Sequence, residues 1–282
     1  MPASLWPALD AATRAVLPRR PFRIDGRAVG SVAEAHLAAL SAFGELLTVA
    51  DDGVELRVSP PERDAALARI NDALRGTELI HAWRDEVFAV VDPDSLAPLA
   101  RIERAAARFW GTLSFGAHAT GFVAGPDGRP AAIWVAQRSL TKATDPGLHD
   151  NLIGGGVAAG QTPAEALQRE GFEEAGLEPA LMQGTRTGSV LRLQRDIAEG
   201  FQHEWLYSYD IELPAAWQPQ NQDGEVAGFT LMPVAEALVL AAGRSMTVDA
   251  ALVTIDFALR HRLLDDASVA ARMAALYVLR LG

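Results

Sequence analysis

Three glutamates, Glu170, Glu173 and Glu174, follow a run of glycines and share one predicted helix at spacings of three and four residues. At about 100° per residue, their side chains occupy roughly a third of the helix circumference. Like charges at this spacing repel each other by roughly a few tenths of a kcal/mol when exposed, and by more when buried. Clustered carboxylate oxygens are ligands that Mg²⁺ and Mn²⁺ prefer. The spacing therefore predicts a divalent-cation site, with a solvated acidic helix face as the alternative.

The helix that must position these glutamates has well-marked ends. Thr162 and Glu165 have the spacing of a capping box, and Pro163 occupies the first helical position. Gly176 stops the helix, and Pro179 lies just beyond it. These signals predict a helix of about thirteen residues, which is three to four turns.

The segment from Gly155 to Leu177 resembles the Nudix box, in which a glycine, five residues, an acid and seven residues precede Arg-Glu-aliphatic-x-Glu-Glu-x-Gly-aliphatic. Gln161 stands at the position of the acid, and Gly171 stands at that of an aliphatic residue. The other fixed positions match; they are Gly155, Arg169, Glu170, Glu173, Glu174, Gly176 and Leu177. The resemblance implies an α/β/α sandwich that hydrolyses a nucleoside diphosphate linked to another group, or a similar small-molecule diphosphate, with Mg²⁺ or Mn²⁺.

The resemblance also implies roles for individual residues. It assigns Arg169 an orienting ion pair with the helix carboxylates, and it makes the acid replaced by Gln161 a less direct participant. Gly155 and Gly156 are candidate substrate contacts because glycine lets the backbone approach a ligand closely. Metal binding is assigned to Glu170, Glu173 and Glu174.

Segments around the box resemble a Nudix subgroup related to the hydrolase portion of a yeast thiamine pyrophosphokinase. They are QRSLTKATDPGLHDNLIGGGVAAGQTP, FQHEWLYSYDIELP and NQDGEVAGFTLMPV. Plant and bacterial members share an N-terminal domain of unassigned function, and the subgroup commonly lacks the acid at the position of Gln161. Membership implies hydrolysis of thiamine diphosphate, especially of its oxidised (oxo/oxy) derivatives, to the monophosphate. Four rings are candidates to stack on such a substrate, with a place in the core as the alternative for each: Trp134, Trp205, Tyr207 and Phe229.

Further site candidates lie outside the helix. Glu204 and Glu225 could add a fourth carboxylate or act as the base on the attacking water, with surface exposure as the alternative. Arg138 and Lys142 precede the box and are candidate phosphate contacts; Lys142 is the single lysine among 25 basic residues. His118 is a candidate substrate contact, with a structural histidine as the alternative.

Composition excludes several classes of function. The net charge of −11 argues against a nucleic-acid-binding face. There is no cysteine, which excludes disulfides, thiolate metal sites and cysteine nucleophiles. No apolar run is long enough to span a membrane and the N-terminus lacks the layout of a signal peptide, so a cytoplasmic location is expected.

The predicted class is α+β, with an N-terminal α+β domain over residues 1–111 and a Nudix domain with C-terminal helices over 112–282. The patterns predict helices over 1–18, over 31–43 with Ser31 as its cap, over 98–111 and over 268–281. No catalytic constellation stands out in the N-terminal hundred residues. That domain is expected to shape the substrate pocket, to form a homodimer or simply to dock.

Three other functions are compatible with parts of the pattern. An ADP-ribose or ADP-sugar hydrolase would use the same box. A Nudix module that senses a nucleotide without cleaving it would usually lose the box glutamates, which this chain keeps. An isoprenoid diphosphate isomerase shares the fold, but as the family is usually drawn it needs a cysteine that this chain lacks.

Overall fold

The structure, a computed structural model, describes residues 6–278. The first part of the chain forms a four-stranded sheet with the strand order β2-β1-β4-β3, in which β1 runs parallel to β4. A separate two-stranded sheet, β5-β6, follows it. The elements of this part are α1 (Pro7–Ala11), β1 (Arg19–Ile24), β2 (Arg27–Ala33), α2 (Leu37–Leu40), β3 (Leu47–Ala50), β4 (Gly53–Leu56), α3 (Arg63–Gly76), β5 (Val87–Val91), β6 (Pro98–Glu103) and α4 (Arg104–Trp110).

The second part is built on a seven-stranded mixed sheet with the path β11-β12-β7-β8-β13. β7 pairs in parallel with β12, and on its other side it pairs antiparallel first with β10 and then with β8. The elements of this part are β7 (Leu113–Ala124), β8 (Pro130–Arg138), β9 (His149–Asp150), β10 (Ile153–Gly156), α5 (Pro163–Ala175), α6 (Pro179–Met182), β11 (Arg186–Ile197), β12 (Gly200–Glu212), β13 (Val226–Pro233), α7 (Val234–Ala241), α8 (Val248–Arg260) and α9 (Ala267–Ala274).

Helices cover both faces of this sheet. On one face, Leu167 and Ala175 of α5 pack with Ile153 of the glycine strand β10. On the other, α7 and α8 form a core with Phe122 and Leu206 of the sheet. This arrangement is the α/β/α sandwich with a mixed sheet, and the α+β class with an additional N-terminal domain is confirmed.

The local signals at α5 are confirmed. The Thr162 hydroxyl accepts a hydrogen bond from the backbone N–H of Glu165, whose carboxylate accepts one from the Thr162 N–H in return. Gly176 ends the helix at φ 66°, in the left-handed region where glycine avoids the penalty of a Cβ atom. The helix therefore has both ends fixed around its three glutamates.

Two predicted helices are wrong in part. Ser31 lies inside β2, where its hydroxyl accepts a hydrogen bond from Arg19 Nε at 2.9 Å, so it caps no helix; the helical turns begin only at Glu34. Residues 98–103 form β6 instead of helix, because they pair with β5, and α4 begins at Arg104. Tertiary pairing has overridden local helical spacing in both segments.

The terminal helices are shorter than predicted. α1 is confined to Pro7–Ala11 and α9 to Ala267–Ala274, while residues 1–5 and 279–282 of the predicted segments lie outside the described residues. Ala8 and Leu9 of α1 pack in the core that contains α8, not in the core of the first sheet. Over residues 6–278, no helix has both the length and the apolarity that crossing a membrane requires.

Candidate active site

The glycine strand β10 lies directly against the carboxylates of α5. A Cβ atom added to Gly155 would lie 2.2 Å from Glu170 Oε1, which is far inside van der Waals contact. The backbone N–H of Gly154 donates to Glu174 Oε2 at 2.9 Å. Glycine is thus required at position 155 because the Glu170 carboxylate occupies the space of a side chain.

Arg169 bridges two of the three glutamates. Its guanidinium lies 2.9 Å from Glu170 Oε1 and 3.0 Å from Glu173 Oε2, and it also donates to the carbonyl oxygen of Gly156 at 3.4 Å. Glu170 and Glu174 are buried, whereas the Glu173 side chain is 42% exposed. The residue predicted to orient the helix carboxylates is therefore in contact with two of them.

Lys142, the single lysine, interacts with Glu225 and lies close to Glu174, the third glutamate of α5. The Lys142 ammonium donates to Glu225 Oε2 and lies 3.8 Å from Glu174 Oε1. Only 9% of the Lys142 side chain is exposed. A contact between Glu225 and Arg84, at 3.7 Å, adds a second cation to this group. The Lys142 ammonium was predicted to contact phosphate, and in this structure it interacts with the carboxylates of Glu225 and Glu174.

The buried carboxylates of α5 are incompletely neutralised by these cations. Burial raises the pKa of Glu174 well above its ordinary value; the nearby Glu170 raises it further, and Lys142 offsets only part of the effect. Burial likewise raises the pKa of Glu170, against the opposing influence of Arg169 and Arg104. A raised pKa at both positions means that the folded protein disfavours the two negative charges.

Replacing Glu174 by glutamine is expected to stabilise the protein by about 1 kcal/mol at pH 7.5 in EDTA, because it removes a buried charge and keeps an acceptor for Gly154. The folded pKa of Glu174 is raised, so wild type loses stability as pH rises from the unfolded value near 4.3 through the folded value. The gain from Glu174→Gln should therefore be absent near pH 4 and grow towards pH 8. Melting temperatures across this range test the prediction, which is contradicted if the gain is independent of pH.

A cavity of about 390 Å³ opens beside the glycine strand. His118 lines it, with its ring Nδ1 3.0 Å from Asn151 Oδ1. The lining contains five arginines, three of them from the first part of the chain, together with Gln202, Glu204 and Asp249, and Arg108 pairs directly with Glu204. The arginines that line the cavity are Arg84, Arg104, Arg108, Arg138 and Arg195.

Glu204 is buried in the wall of this cavity and is held by two donors. Arg108 donates to Glu204 Oε2 at 2.9 Å, and Gln202 Nε2 donates to the same oxygen at 3.0 Å. Burial alone would raise the pKa of Glu204, but these two partners lower it below its ordinary value. Gln202 also donates to Asp249, whose pKa is raised by burial and then by the charge of Glu204.

The remaining candidates take the following places. Arg138 lines the cavity and pairs with Asp150 at 2.8 Å, and it donates to the Thr144 carbonyl oxygen at 2.8 Å. Gln161 lines a separate cavity of about 210 Å³ beside Phe88. Among residues 6–278, the lining of the larger cavity includes none of the four rings proposed for stacking, Trp134, Trp205, Tyr207 and Phe229. These rings pack instead against the core beneath α5 or against Phe115.

Sequence reasoning missed the basic residues that the N-terminal part contributes. Arg84 lies in the loop before β5, and Arg104 and Arg108 lie on α4. Arg104 pairs with Glu86 at 2.7 Å and also acts electrostatically on Glu170. No motif joins these positions in sequence, and arginine is common throughout the chain. Only the packing of α4 and β5 beside β10 brings them to the site.

The donor types at α5 fit a divalent cation, since all are carboxylate oxygens. Within residues 6–278, however, no three His, Asp or Glu side chains are grouped closely enough to hold a metal ion. Arg169 pairs with Glu170 and Glu173, and Lys142 lies 3.8 Å from Glu174. A cation held by all three glutamates would compete with these ion pairs.

Comparison with known proteins gives two family matches. The model of the NUDIX domain matches residues 115–250, and that of a domain of unknown function (DUF4743) matches residues 11–114. Two curated Arabidopsis thaliana proteins, "Nudix hydrolase 24, chloroplastic" and "Nudix hydrolase 20, chloroplastic", are each 33% identical to this chain over 250 and 255 residues. Each alignment covers 86% of this chain, and they cover 68% and 67% of the two relatives.

Solved structures with a similar chain path include that of DR0079 from Deinococcus radiodurans. It is 22% identical to this chain and has a TM-score of 0.47, and the match covers 60% of this chain and 97% of the other.

Proposed function

The chain belongs to the Nudix hydrolase family, and we propose that it hydrolyses the diphosphate of thiamine diphosphate or of its oxidised (oxo/oxy) derivatives to release the monophosphate. Nudix hydrolases generally use divalent metal ions; Mg²⁺ or Mn²⁺ at the helix glutamates is part of the proposal. The observation that carries it is a cavity lined by five arginines and by the buried carboxylate of Glu204, at the glycine strand that packs against the glutamates of α5.

The arginines that line the cavity are suited to binding the diphosphate group. Guanidinium groups form paired, charge-assisted hydrogen bonds with phosphate oxygens. In a chain with a net charge of −11, such a local concentration of arginine is needed to attract an anionic substrate. When bound, a divalent cation neutralises phosphate charge and orients the attacking water. Glu170, Glu173 and Glu174 would hold it.

Two glutamates outside α5 are candidates for the base. Glu204 has a lowered pKa and is held by Arg108, so it stays ionised and oriented at neutral pH. The pKa of Glu225 is also below its ordinary value; burial opposes this shift, and the hydrogen bond from Lys142 is its main cause. An ionised carboxylate within reach of a water can accept its proton as the water attacks phosphorus. We therefore assign the role of general base to either Glu204 or Glu225.

Two acidic residues of the cavity lining favour a substrate that contains a positively charged heterocycle. Glu204 is buried and Asp249 is half-buried. Within residues 6–278, Arg108 donates a hydrogen bond to Glu204, whereas Arg195 and Arg108 act on Asp249 only through their charge. A cationic ring beside Asp249 would offset its charge, whereas the ribose of an ADP-sugar brings no such charge. This difference favours thiamine compounds over ADP-ribose as substrates.

The test is a panel of diphosphates assayed for monophosphate release with Mg²⁺ or Mn²⁺. It contains thiamine diphosphate, its oxo and oxy analogues, ADP-ribose and a dinucleoside polyphosphate. We expect at least one thiamine compound to have a kcat/KM that exceeds that of ADP-ribose tenfold or more. If ADP-ribose is cleaved as well as every thiamine compound, the substrate assignment fails and the ADP-ribose alternative replaces it. Binding without turnover of any compound would favour the sensing alternative.

A further inference from the structure

The N-terminal domain of unknown function lies against the glycine strand that carries the site. The backbone N–H of Ala159 donates to the carbonyl oxygen of Val87 in β5 at 2.8 Å. A Cβ atom on Gly156 would lie 2.6 Å from the ring of Phe88 and 3.2 Å from Arg104 Cζ. The two parts of the chain therefore share a close-packed boundary at the residues that precede α5.

We propose that this N-terminal domain forms the anion-binding wall of the active site, with Arg84, Arg104 and Arg108 as ligands of the substrate's phosphate oxygens. The inference rests on the proposed function in that it takes the substrate to be a diphosphate. It gives the domain a direct part in substrate binding and predicts that the Nudix domain alone has an incomplete site.

Helix α4 presents two of these arginines together. Arg104 and Arg108 are four residues apart, so they lie on the same face of the helix. The remaining surface of α4 is fixed in the N-terminal core by Ala106, Phe109 and Trp110, which are almost fully buried. The helix is thereby held rigidly with its basic face at the cavity.

The arginines keep donors available for an anion. The Nη1 atom of Arg108 is buried and has no hydrogen-bond partner within residues 6–278, although Nη2 donates to Glu204. A buried donor without an acceptor destabilises the folded protein. Because the Arg108 side chain lines the cavity and is 25% exposed, a turn of its guanidinium would bring this donor to a phosphate oxygen. Within residues 6–278 the guanidinium of Arg84 makes one ion-pair contact, at 3.7 Å to Glu225, so it can turn to a ligand at small cost.

Charge also favours this assignment. Glu170 and Glu174 lie against the glycine strand β10, and Glu204 lies against Gly116 of the neighbouring strand β7. All three carboxylates would repel a diphosphate. The guanidinium of Arg104 acts electrostatically on Glu170 and Glu204, and that of Arg108 pairs with Glu204. Removing the N-terminal arginines would therefore leave Glu170 and Glu204 with fewer cations beside them.

The experiment measures binding of methylenediphosphonate, a diphosphate analogue that cannot be hydrolysed at its bridge, to the full chain by calorimetry with Mg²⁺ present. Arg84→Gln and Arg108→Lys are compared with Arg101→Gln, which removes an exposed arginine of β6 that does not line the cavity. We expect the first two variants to raise the Kd about tenfold and Arg101→Gln to change it less than twofold. Circular dichroism checks folding; if Arg108→Lys fails to fold, Arg84→Gln carries the test because its ion pair is long and partly exposed.

The outcomes separate this inference from the proposed function. Suppose that wild type binds the diphosphonate, and that the folded variants Arg84→Gln and Arg108→Lys bind it as tightly as Arg101→Gln does. The proposal that N-terminal arginines bind the phosphates is then wrong, even when diphosphates are hydrolysed. Absence of binding by wild type overturns it as well. If binding depends on the arginines but no compound of the panel is cleaved, the wall stands and the proposed hydrolytic function fails.

Discussion

Replacing Glu173 by glutamine is expected to lower kcat for diphosphate hydrolysis by roughly 100-fold or more, which corresponds to about 3 kcal/mol of transition-state stabilisation. Among the three helix glutamates, Glu173 has the exposed side chain, and within residues 6–278 its carboxylate pairs with Arg169 alone, at 3.0 Å. Neutralising it should therefore leave folding intact while removing a proposed ligand of the divalent cation. Steady-state turnover of the best substrate in the panel measures the effect.

The matched control for this variant is Glu178→Gln. Glu178 is an exposed glutamate just beyond Gly176, and its side chain caps no helix end by a hydrogen bond. We expect this control to keep wild-type turnover, and we expect Glu173→Gln to require a higher Mn²⁺ concentration for half-maximal activity. Turnover of Glu173→Gln within threefold of wild type would contradict the assignment of metal binding to this residue.

The sequence predicted helix α5, the segment of the candidate metal ligands, because its signals are local. The capping box, the first-turn proline and the terminal glycine act within a few residues of one another, so α5 begins and ends where they predict. The antiparallel pair β3 and β4 is also joined by a local turn, at Asp51, Asp52 and Gly53. Short-range physics was sufficient for these elements.

Other elements depend on contacts that no local pattern contains. Residues 98–103 have helical spacing, but the free energy of pairing with β5 and of packing against α3 decides their structure. Ser31 has the chemistry of a helix cap, yet Arg19 of the neighbouring strand takes its hydroxyl. In such segments the interaction that determines the secondary structure comes from residues that are distant in sequence or belong to another strand.

The candidate site likewise contains residues that local spacing could predict and residues that it could not. The glutamates of α5 and the glycines of β10 could be found from spacing, but their charge partners could not. Lys142 and Glu225 are 83 residues apart, and Arg108 and Glu204 are 96 apart. The arginines of α4 could be recognised as part of the site only after the packing of β5 and α4 on the glycine strand was known. Spacing thus indicated most of the acidic side chains of the candidate site, but not Asp249 or the arginines of the N-terminal part.

Replacing Lys142 by methionine is expected to lower the free energy of unfolding by about 2–3 kcal/mol in EDTA. Methionine fills a similar volume but leaves Glu174 buried beside Glu170 without the nearby ammonium, and it removes the main partner of Glu225. The loss should be somewhat below that of a fully buried pair, because the Glu225 side chain is 39% exposed. Urea unfolding at pH 7.5 measures it, with the exposed Arg186→Met as the control for loss of a positive charge.

A double-mutant cycle with Glu174→Gln tests the physical reason for this loss. If the instability of Lys142→Met comes from the uncompensated Glu174 charge, the double variant should regain most of the lost stability, and Glu174→Gln should stabilise Lys142→Met more than it stabilises wild type. Mn²⁺ should also raise the melting temperature of Lys142→Met more than that of wild type, because a bound cation would replace the missing ammonium. Strictly additive substitutions together with equal Mn²⁺ shifts would show that Lys142 and a metal ion do not compensate the same carboxylates.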